Sequence, residues 1–281
     1  MTRFPLLLLS LATLAACFGD ANEESSSSGG GGEDATADND GDGLTNGEEA
    51  DMGTDPDAAD SDGDGTSDPD EVAGGTNPNF IWSHPYAQGD YLVGACPVLP
   101  DEAASGPTGQ GSLSGNTWDA YQEGDVMHNL AAGGRDSFGQ EVPVYSFCGN
   151  YTMVVQSAEW CGPCQQLASM IPDELETIRA DFPNFTFYEV IYQNNRGANP
   201  NERTLANWRD SFGLDGTPVV APADNTAADM NWINASGGIP ATLLLAPDMT
   251  VIWSGIDHPG EYYLTDARDI LRAIRQHANG N

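Results

Sequence analysis

Two groups of residues in this chain of 281 have the types and spacing for chemistry. The first is Trp160-Cys161-Gly162-Pro163-Cys164. Two thiols three positions apart on one helical turn can open and close a disulfide. A cysteine at a helix N-terminus faces free N–H groups and the positive end of the helix dipole, and both favour the thiolate. Cys161 is therefore the candidate nucleophile toward a substrate disulfide. Cys164 is the candidate resolving thiol, which attacks the resulting mixed disulfide. A tetrahedral zinc site would need a second close Cys pair or a Cys/His cluster, and the sequence has neither. A haem attachment site would need His after Cys164, where Gln165 stands.

The second group is acidic and repeated. Asp38-Asn39-Asp40-Gly41-Asp42-Gly43 recurs 22 residues later as Asp60-Ser61-Asp62-Gly63-Asp64-Gly65. Oxygen side chains fall at loop positions 1, 3, 5, 9 and 12. They are Asp38, Asp40, Asp42, Asn46 and Glu49 in the first unit, and Asp60, Asp62, Asp64, Asp68 and Glu71 in the second. Ca2+ takes six to eight hard oxygens, alternate carboxylates converge on it, and a terminal Glu can bind through both oxygens. The carbonyls of Leu44 and Thr66 would fill position 7. No amphipathic helix precedes either loop, which argues against paired EF-hand sensors. The competing reading is an acidic linker without specific metal.

The elements that must position the dithiol are legible around it. Tyr151 to Val155 reads as a buried strand, and Leu167, Ile171, Leu175 and Ile178 recur at helical spacing after it. The pair thus sits at a strand-to-helix junction. Ala158-Glu159-Trp160-Cys161-Gly162-Pro163-Cys164 resembles the active-site segment of the thioredoxin family. Gly238-Ile239-Pro240-Ala241 resembles that family's cis-proline strand, and Val251-Ile252-Trp253 its closing hairpin. The resemblance implies a mixed α/β sheet flanked by helices. It also implies a cis Pro240 against the dithiol, with the backbone of Ile239 pairing with an extended substrate segment. The N-terminal part of this domain resembles the TlpA-like redoxin branch, with 124–130 and 139–144 fitting its leading hairpin. Phe185 to Tyr192 reads as a strand, Arg203 to Phe212 as a helix, Thr217 to Ala221 as a short strand, and Leu264 to His277 as the closing helix. Thioredoxin proper places a buried Asp six residues before the first cysteine, where this chain has Val155. The family's helix proline falls earlier than Pro172, suggesting an extra turn. The acidic repeats resemble bacterial thrombospondin type 3 repeats.

Two cysteines remain inside this region. Cys148 precedes the strand and Cys96 lies in a Gly/Pro-rich extension. A Cys96–Cys148 bridge clipping the extension to the domain is expected, the alternative being a relay that passes electrons to the first pair. At the N-terminus, Arg3 precedes a short apolar run ending Leu14-Ala15-Ala16-Cys17, which resembles a bacterial lipoprotein lipobox. That implies cleavage before Cys17, acylation of it, and a lipid anchor in the cell envelope, on the periplasmic face or outer membrane of a diderm bacterium. The organisation expected is a signal peptide over 1–16 and a lipidated Cys with a flexible Ser/Gly linker over 17–36. Calcium-binding repeats over 37–80, an extension over 81–123 and a thioredoxin-like domain over 124–279 follow.

The charge narrows the partners. The chain has 43 acids, 9 bases and a formal charge of −34; all nine bases are Arg. Such a chain repels nucleic acid and anionic membrane surfaces. Taken together, these features predict a membrane-anchored thiol-disulfide oxidoreductase that reduces or isomerises disulfides of exported proteins. It would exchange electrons with a redox partner, and its direction is left open. It would use structural Ca2+ and no organic cofactor. Two other readings stand beside it. One is a cell-surface calcium-binding lipoprotein with a non-catalytic thioredoxin fold. The other is an assembly factor for a single client such as a cytochrome.

Overall fold

The computed structural model describes residues 34–101, 103–130, 134–222, 233, 236–258, 263–264 and 266–280. The signal segment and Cys17 lie outside the described residues. Among those residues, no helix is long and apolar enough to cross a membrane.

Each acidic loop runs into a short helix. α1 spans Asn46–Met52 and α2 Asp68–Gly74. Thr45 caps α1 in a reciprocal box with Glu48, and Ser67 caps α2. Both helices stop at a glycine in the left-handed region, Gly53 and Gly75.

A six-stranded sheet forms the scaffold. Its strands are β3 (Arg135–Asp136), β4 (Tyr151–Ser157), β5 (Phe185–Ile191), β6 (Val219–Ala221), β7 (Ala241–Leu245) and β8 (Val251–Ser254), in the order β3-β6-β5-β4-β7-β8. β4 runs parallel to β5 and antiparallel to β7, and β5 is parallel to β6. All seven residues of β4 and of β5 are buried, as strands covered on both faces must be. Met153, Val155, Phe187 and Ile191 point to one core, and Val154, Tyr188 and Val190 to the other.

Helices cover the first face: α3 (Gly162–Ala168), α4 (Ile171–Arg179), α5 (Glu202–Phe212) and α6 (Ala267–Ala278), the last burying Ile270, Leu271 and Ile274. The residues at helical spacing from Leu167 to Ile178 are divided between two helices, α3 and α4. Pro172 explains the break. It has no N–H, and its ring collides with the carbonyl four residues back, which is Ala168, where α3 ends.

Irregular chain covers the second face. Tyr121, Met127, Tyr145 and Phe147 pack there with Cys96 and Cys148. Among the described residues, 124–130 and 139–144 do not pair as the expected leading hairpin. The hairpin lies earlier, with β1 (Gly109–Leu113) antiparallel to β2 (Asn116–Ala120). Its two-residue turn, Ser114-Gly115, has φ of 53° and 87°, the geometry that matches strand twist in a tight hairpin. Residues 124–127 instead run along β8. The Gly124 and Met127 N–H groups donate to Val251 and Met249, and Val251 N–H donates to Asp125. The Asp125 carboxylate accepts the N–H groups of Thr108 and Gln122, which fixes a turn where a strand was expected.

Cys96 and Cys148 form a disulfide with Cα atoms 4.6 Å apart. The chain beside it approaches so closely that a Cβ on Gly94 would sit 1.8 Å from the Cys148 carbonyl oxygen, so only glycine fits. Residues Asp34–Asn281 form one compact unit. Asn77 donates to the Cys96 carbonyl at 3.1 Å, and Phe80 and Trp82 pack on the second core. Packing therefore continues across the boundary expected at residue 80.

Candidate functional site

The dithiol sits where β4 hands over to α3. Cys161 and Cys164 are joined as a disulfide, Cα atoms 5.2 Å apart. Cys161 is the N-cap of α3, and its Sγ accepts the Cys164 N–H at 3.2 Å. That N–H would hold the negative charge of a Cys161 thiolate once the disulfide opens, since donors to an ionised acceptor bind more strongly. Cys161 is 4% exposed and Cys164 fully buried, so an incoming disulfide meets Cys161 first. Gly162 and Pro163 are exposed on the first turn of α3, and Trp160 is 48% exposed beside them.

The loop is clamped from the end of β5. Trp160 Nε1 donates to Gln193 Oε1 at 3.1 Å, and Tyr192 meets the indole edge-on. The Glu159 carboxylate accepts the Asn195 N–H at 2.8 Å, which makes it a loop fastener. Across the site, the Ile239–Pro240 peptide bond is cis. The Ile239 carbonyl oxygen lies 3.6 Å from Cys161 Sγ. Ile239 and Pro240 thus flank the reactive sulfur, although Ile239 and Cys161 are 78 positions apart in sequence.

The acidic loops share one hydrogen-bond scheme. Asp38 accepts the Gly41 N–H at 2.7 Å, Asp40 the Asp42 N–H at 3.1 Å and Asp42 the Leu44 N–H at 2.7 Å. Asp60, Asp62 and Asp64 repeat this with Gly63, Asp64 and Thr66 at 2.8, 3.1 and 2.7 Å. Gly43 and Gly65, at φ of 111° and 99°, occupy the position 6 turn that side chains resist. One oxygen of each aspartate is thereby spoken for, and the second oxygen of Asp60 accepts the Gly65 N–H at 2.9 Å. The second oxygens of Asp40, Asp42, Asp62 and Asp64 are buried without a partner, and so are both oxygens of Glu49 and of Glu71. Asp38, Asp40 and Asp42 converge, as do Asp60, Asp62 and Asp64.

Burial and then neighbouring aspartates push Glu71 up to about 8 and Asp62 to about 6, and raise Glu49 and Asp42. Buried like charges without a counter-ion are costly. A hard divalent cation is the chemistry that satisfies them, and the oxygen-only donor set fits Ca2+.

Position 9 also braces its loop. Asn46 Oδ1 accepts the Asn39 N–H at 3.2 Å, and Asp68 Oδ1 accepts the Ser61 N–H at 2.9 Å. Both side chains brace their own loop. The Asp68 carboxylate also converges with Asp42 and Glu49, so it faces the first loop as well as the second.

One buried acid was missed in the sequence. Glu189 on β5 is fully buried, and both of its oxygens lack a hydrogen-bond partner. Burial pushes it up to about 8. The signal was present, as the one charged residue in Phe-Thr-Phe-Tyr-Glu-Val-Ile.

Residues 38–56 and 60–79 match the family model for the bacterial TSP3 repeat. No curated protein matches the chain by sequence. Among solved structures, a domain of a possible thiol-disulfide isomerase from Cytophaga hutchinsonii is similar. It shares 16% identity over 57% of this chain and 96% of that one, with a TM-score of 0.43. The thioredoxin domain of a thiol-disulfide oxidoreductase from Bacteroides vulgatus shares 18% identity over 47% of this chain and 86% of that one, with a TM-score of 0.38. The chain combines an N-terminal TSP3 repeat region with a thioredoxin-type α/β fold. In that fold a β4-α3-α4-β5 unit is followed by the β7-β8 hairpin and α6, with the dithiol at the C-terminal end of β4.

Proposed function

We propose that the protein is a thiol-disulfide oxidoreductase acting on disulfides of exported proteins. The observation that supports this most is the Cys161–Cys164 disulfide at the β4–α3 junction, with the Cys164 N–H on Cys161 Sγ and the Ile239 carbonyl beside it. Cys161 attacks the substrate disulfide, Cys164 displaces the substrate sulfur, and Trp160, Gly162 and Pro163 form the surface the client meets. The backbone of Ile239 pairs with the client segment. Residues 38–71 bind structural Ca2+, which TSP3-type loops are built to take. Acylation of Cys17 tethers the chain to the cell envelope, on the periplasmic face or outer membrane of a diderm bacterium.

Insulin reduction in the presence of dithiothreitol tests the activity. Wild type should accelerate it and Cys161→Ser should not; equal rates would end this reading. Cys17→Ser should move the expressed protein from the detergent phase to the aqueous phase, and unchanged partitioning would remove the lipid anchor.

A further inference from the structure

The β1–β2 hairpin belongs to neither face of the six-stranded sheet's strand order; it forms a sheet of its own. Its register sets Gly109 opposite Ala120, Gly111 opposite Trp118 and Leu113 opposite Asn116, so these six residues share one face. That face is graded along its length. Gly109, Gly111 and Ala120 are buried at the base, Trp118 is half-buried, and Leu113 beside the turn is 51% exposed. The base is fixed, because Asp125 Oδ2 accepts the Thr108 N–H before β1 at 3.0 Å and the Gln122 N–H after β2 at 2.9 Å. A single exposed leucine needs no explanation by itself. What distinguishes Leu113 is where the hairpin carries it.

The hairpin leans on the loop that ends in the cis proline. Gly237 stands two residues before Ile239, with φ of 71°. A Cβ there would lie 2.8 Å from Leu113 Cδ2 and 3.1 Å from both Leu113 Cβ and Trp118 Cη2. Leu113 and Trp118 are thus seated on bare glycine backbone. Two residues on, the Ile239 carbonyl oxygen is 3.6 Å from Cys161 Sγ. The chain between these contacts keeps the Leu113 methyl groups within about 18 Å of that sulfur, the reach of about five extended residues. Every other residue from Ser112 to Thr117 is polar or glycine, and Asp119 is the only charge between Gly109 and Ala120.

We propose that the β1–β2 hairpin is a wall of the client groove. Leu113 and Trp118 select extended polypeptide segments that carry a large apolar residue within about five positions of the cysteine attacked by Cys161. This rests on thiol-disulfide exchange at Cys161 and Cys164. An apolar client residue covers the exposed face of Leu113 and leaves water itself, whereas a polar one gains nothing there. An acidic one meets no cation on the hairpin, only Asp119.

The test uses the reduced full chain in a Cys17→Ser background, with Cys96 and Cys148 bridged. The probes are short Gly/Ser peptides with one cysteine, held as a mixed disulfide with thionitrobenzoate, and one Leu moved through the positions on either side. Cys161 Sγ bonds to the peptide sulfur and thionitrobenzoate, the better leaving group, departs as a coloured thiolate. Cys164 then bonds to Cys161 Sγ and the peptide leaves as a thiolate, so the dithiol is oxidised by two electrons. Wild type should release thionitrobenzoate at least about tenfold faster from the best Leu peptide than from the peptide without Leu. In Leu113→Ser that ratio should fall to within about twofold of one. A ratio unchanged in Leu113→Ser overturns the proposal, and so does a wild type indifferent to Leu at every position. Release no faster than from Cys161→Ser with all peptides overturns the exchange reading and the proposal with it. Should Leu113→Ser fail to fold, Gly237→Ala, which pushes on the hairpin from the other side, carries the test with the same two outcomes.

Discussion

Replacing Glu189 by Gln should change how stability depends on pH, and the size follows from the structure. Burial raises the carboxyl from its usual 4.5 to about 8. Between those values the folded protein keeps a proton that the unfolded chain has released, so unfolding becomes easier as pH rises. The slope is about 1.4 kcal/mol per pH unit for one proton. Stability from this group is complete below about pH 4.5 and declines until about pH 8. The decline amounts to about 3 kcal/mol by pH 7 and about 5 kcal/mol across the window, a large part of an ordinary domain's 5–15 kcal/mol. An amide does not titrate, so Gln is exempt. Urea unfolding of both proteins from pH 4 to 9, with calcium saturating and the dithiol oxidised, measures the difference. Raised groups such as Glu71 and Asp62 are common to both and cancel. The Gln variant should gain on wild type steadily up to about pH 8, then run parallel. Curves parallel throughout would mean that Glu189 ionises as it does in water, and the argument from burial would fall.

The remaining predictions concern the rest of the chain. Removing the Cys96–Cys148 bridge by double alanine substitution opens a loop of sequence separation 52 and should cost up to about 4 kcal/mol in a urea titration. The Cys161–Cys164 potential should not move; a shifted potential at unchanged stability would favour the electron relay. Asp68→Ala should weaken calcium binding at both loops, whereas Asp38→Ala should weaken only the first, because Asp68 faces Asp42 and Glu49 as well as its own loop. Calorimetric titration in which Asp68→Ala loses one site and leaves the other unchanged would refute the shared role.

The dithiol and its proline were legible because short motifs fix them: Cys161 must begin a helix after a strand, and Pro240 must sit beside it. The acidic repeat loops were legible from their 22-residue offset. Other features depended on competition between neighbours. Helical periodicity through Ile171 looked continuous, but Pro172 overruled it locally. The run from Gly124 to Leu130 had strand character, yet the Asp125 carboxylate bound two backbone N–H groups and turned the chain. Glu189 was hidden differently. An acid inside an apolar strand signals only that something must accommodate it, and the partners, Val155 and Ser157, belong to a strand whose pairing with β5 the sequence does not state.

The way the second face of the sheet is covered bears on how the exported chain proposed above would mature. Exported N-terminus first, such a chain would deliver both acidic loops early, and every candidate ligand of those loops lies between Asp38 and Glu71. They can close on calcium by local contacts as soon as they meet it. The segment from Phe80 to Phe147 cannot settle in the same way. Its docking surface is made of Val154, Tyr188, Val190, Val220 and Leu243, all of which emerge later. Cys96 must therefore wait, reduced, for Cys148 while Cys161 and Cys164 arrive close behind. During that interval Cys96 can mispair with the reactive thiols. A chain that edits disulfides would pass through a stage at which its own are still open to editing.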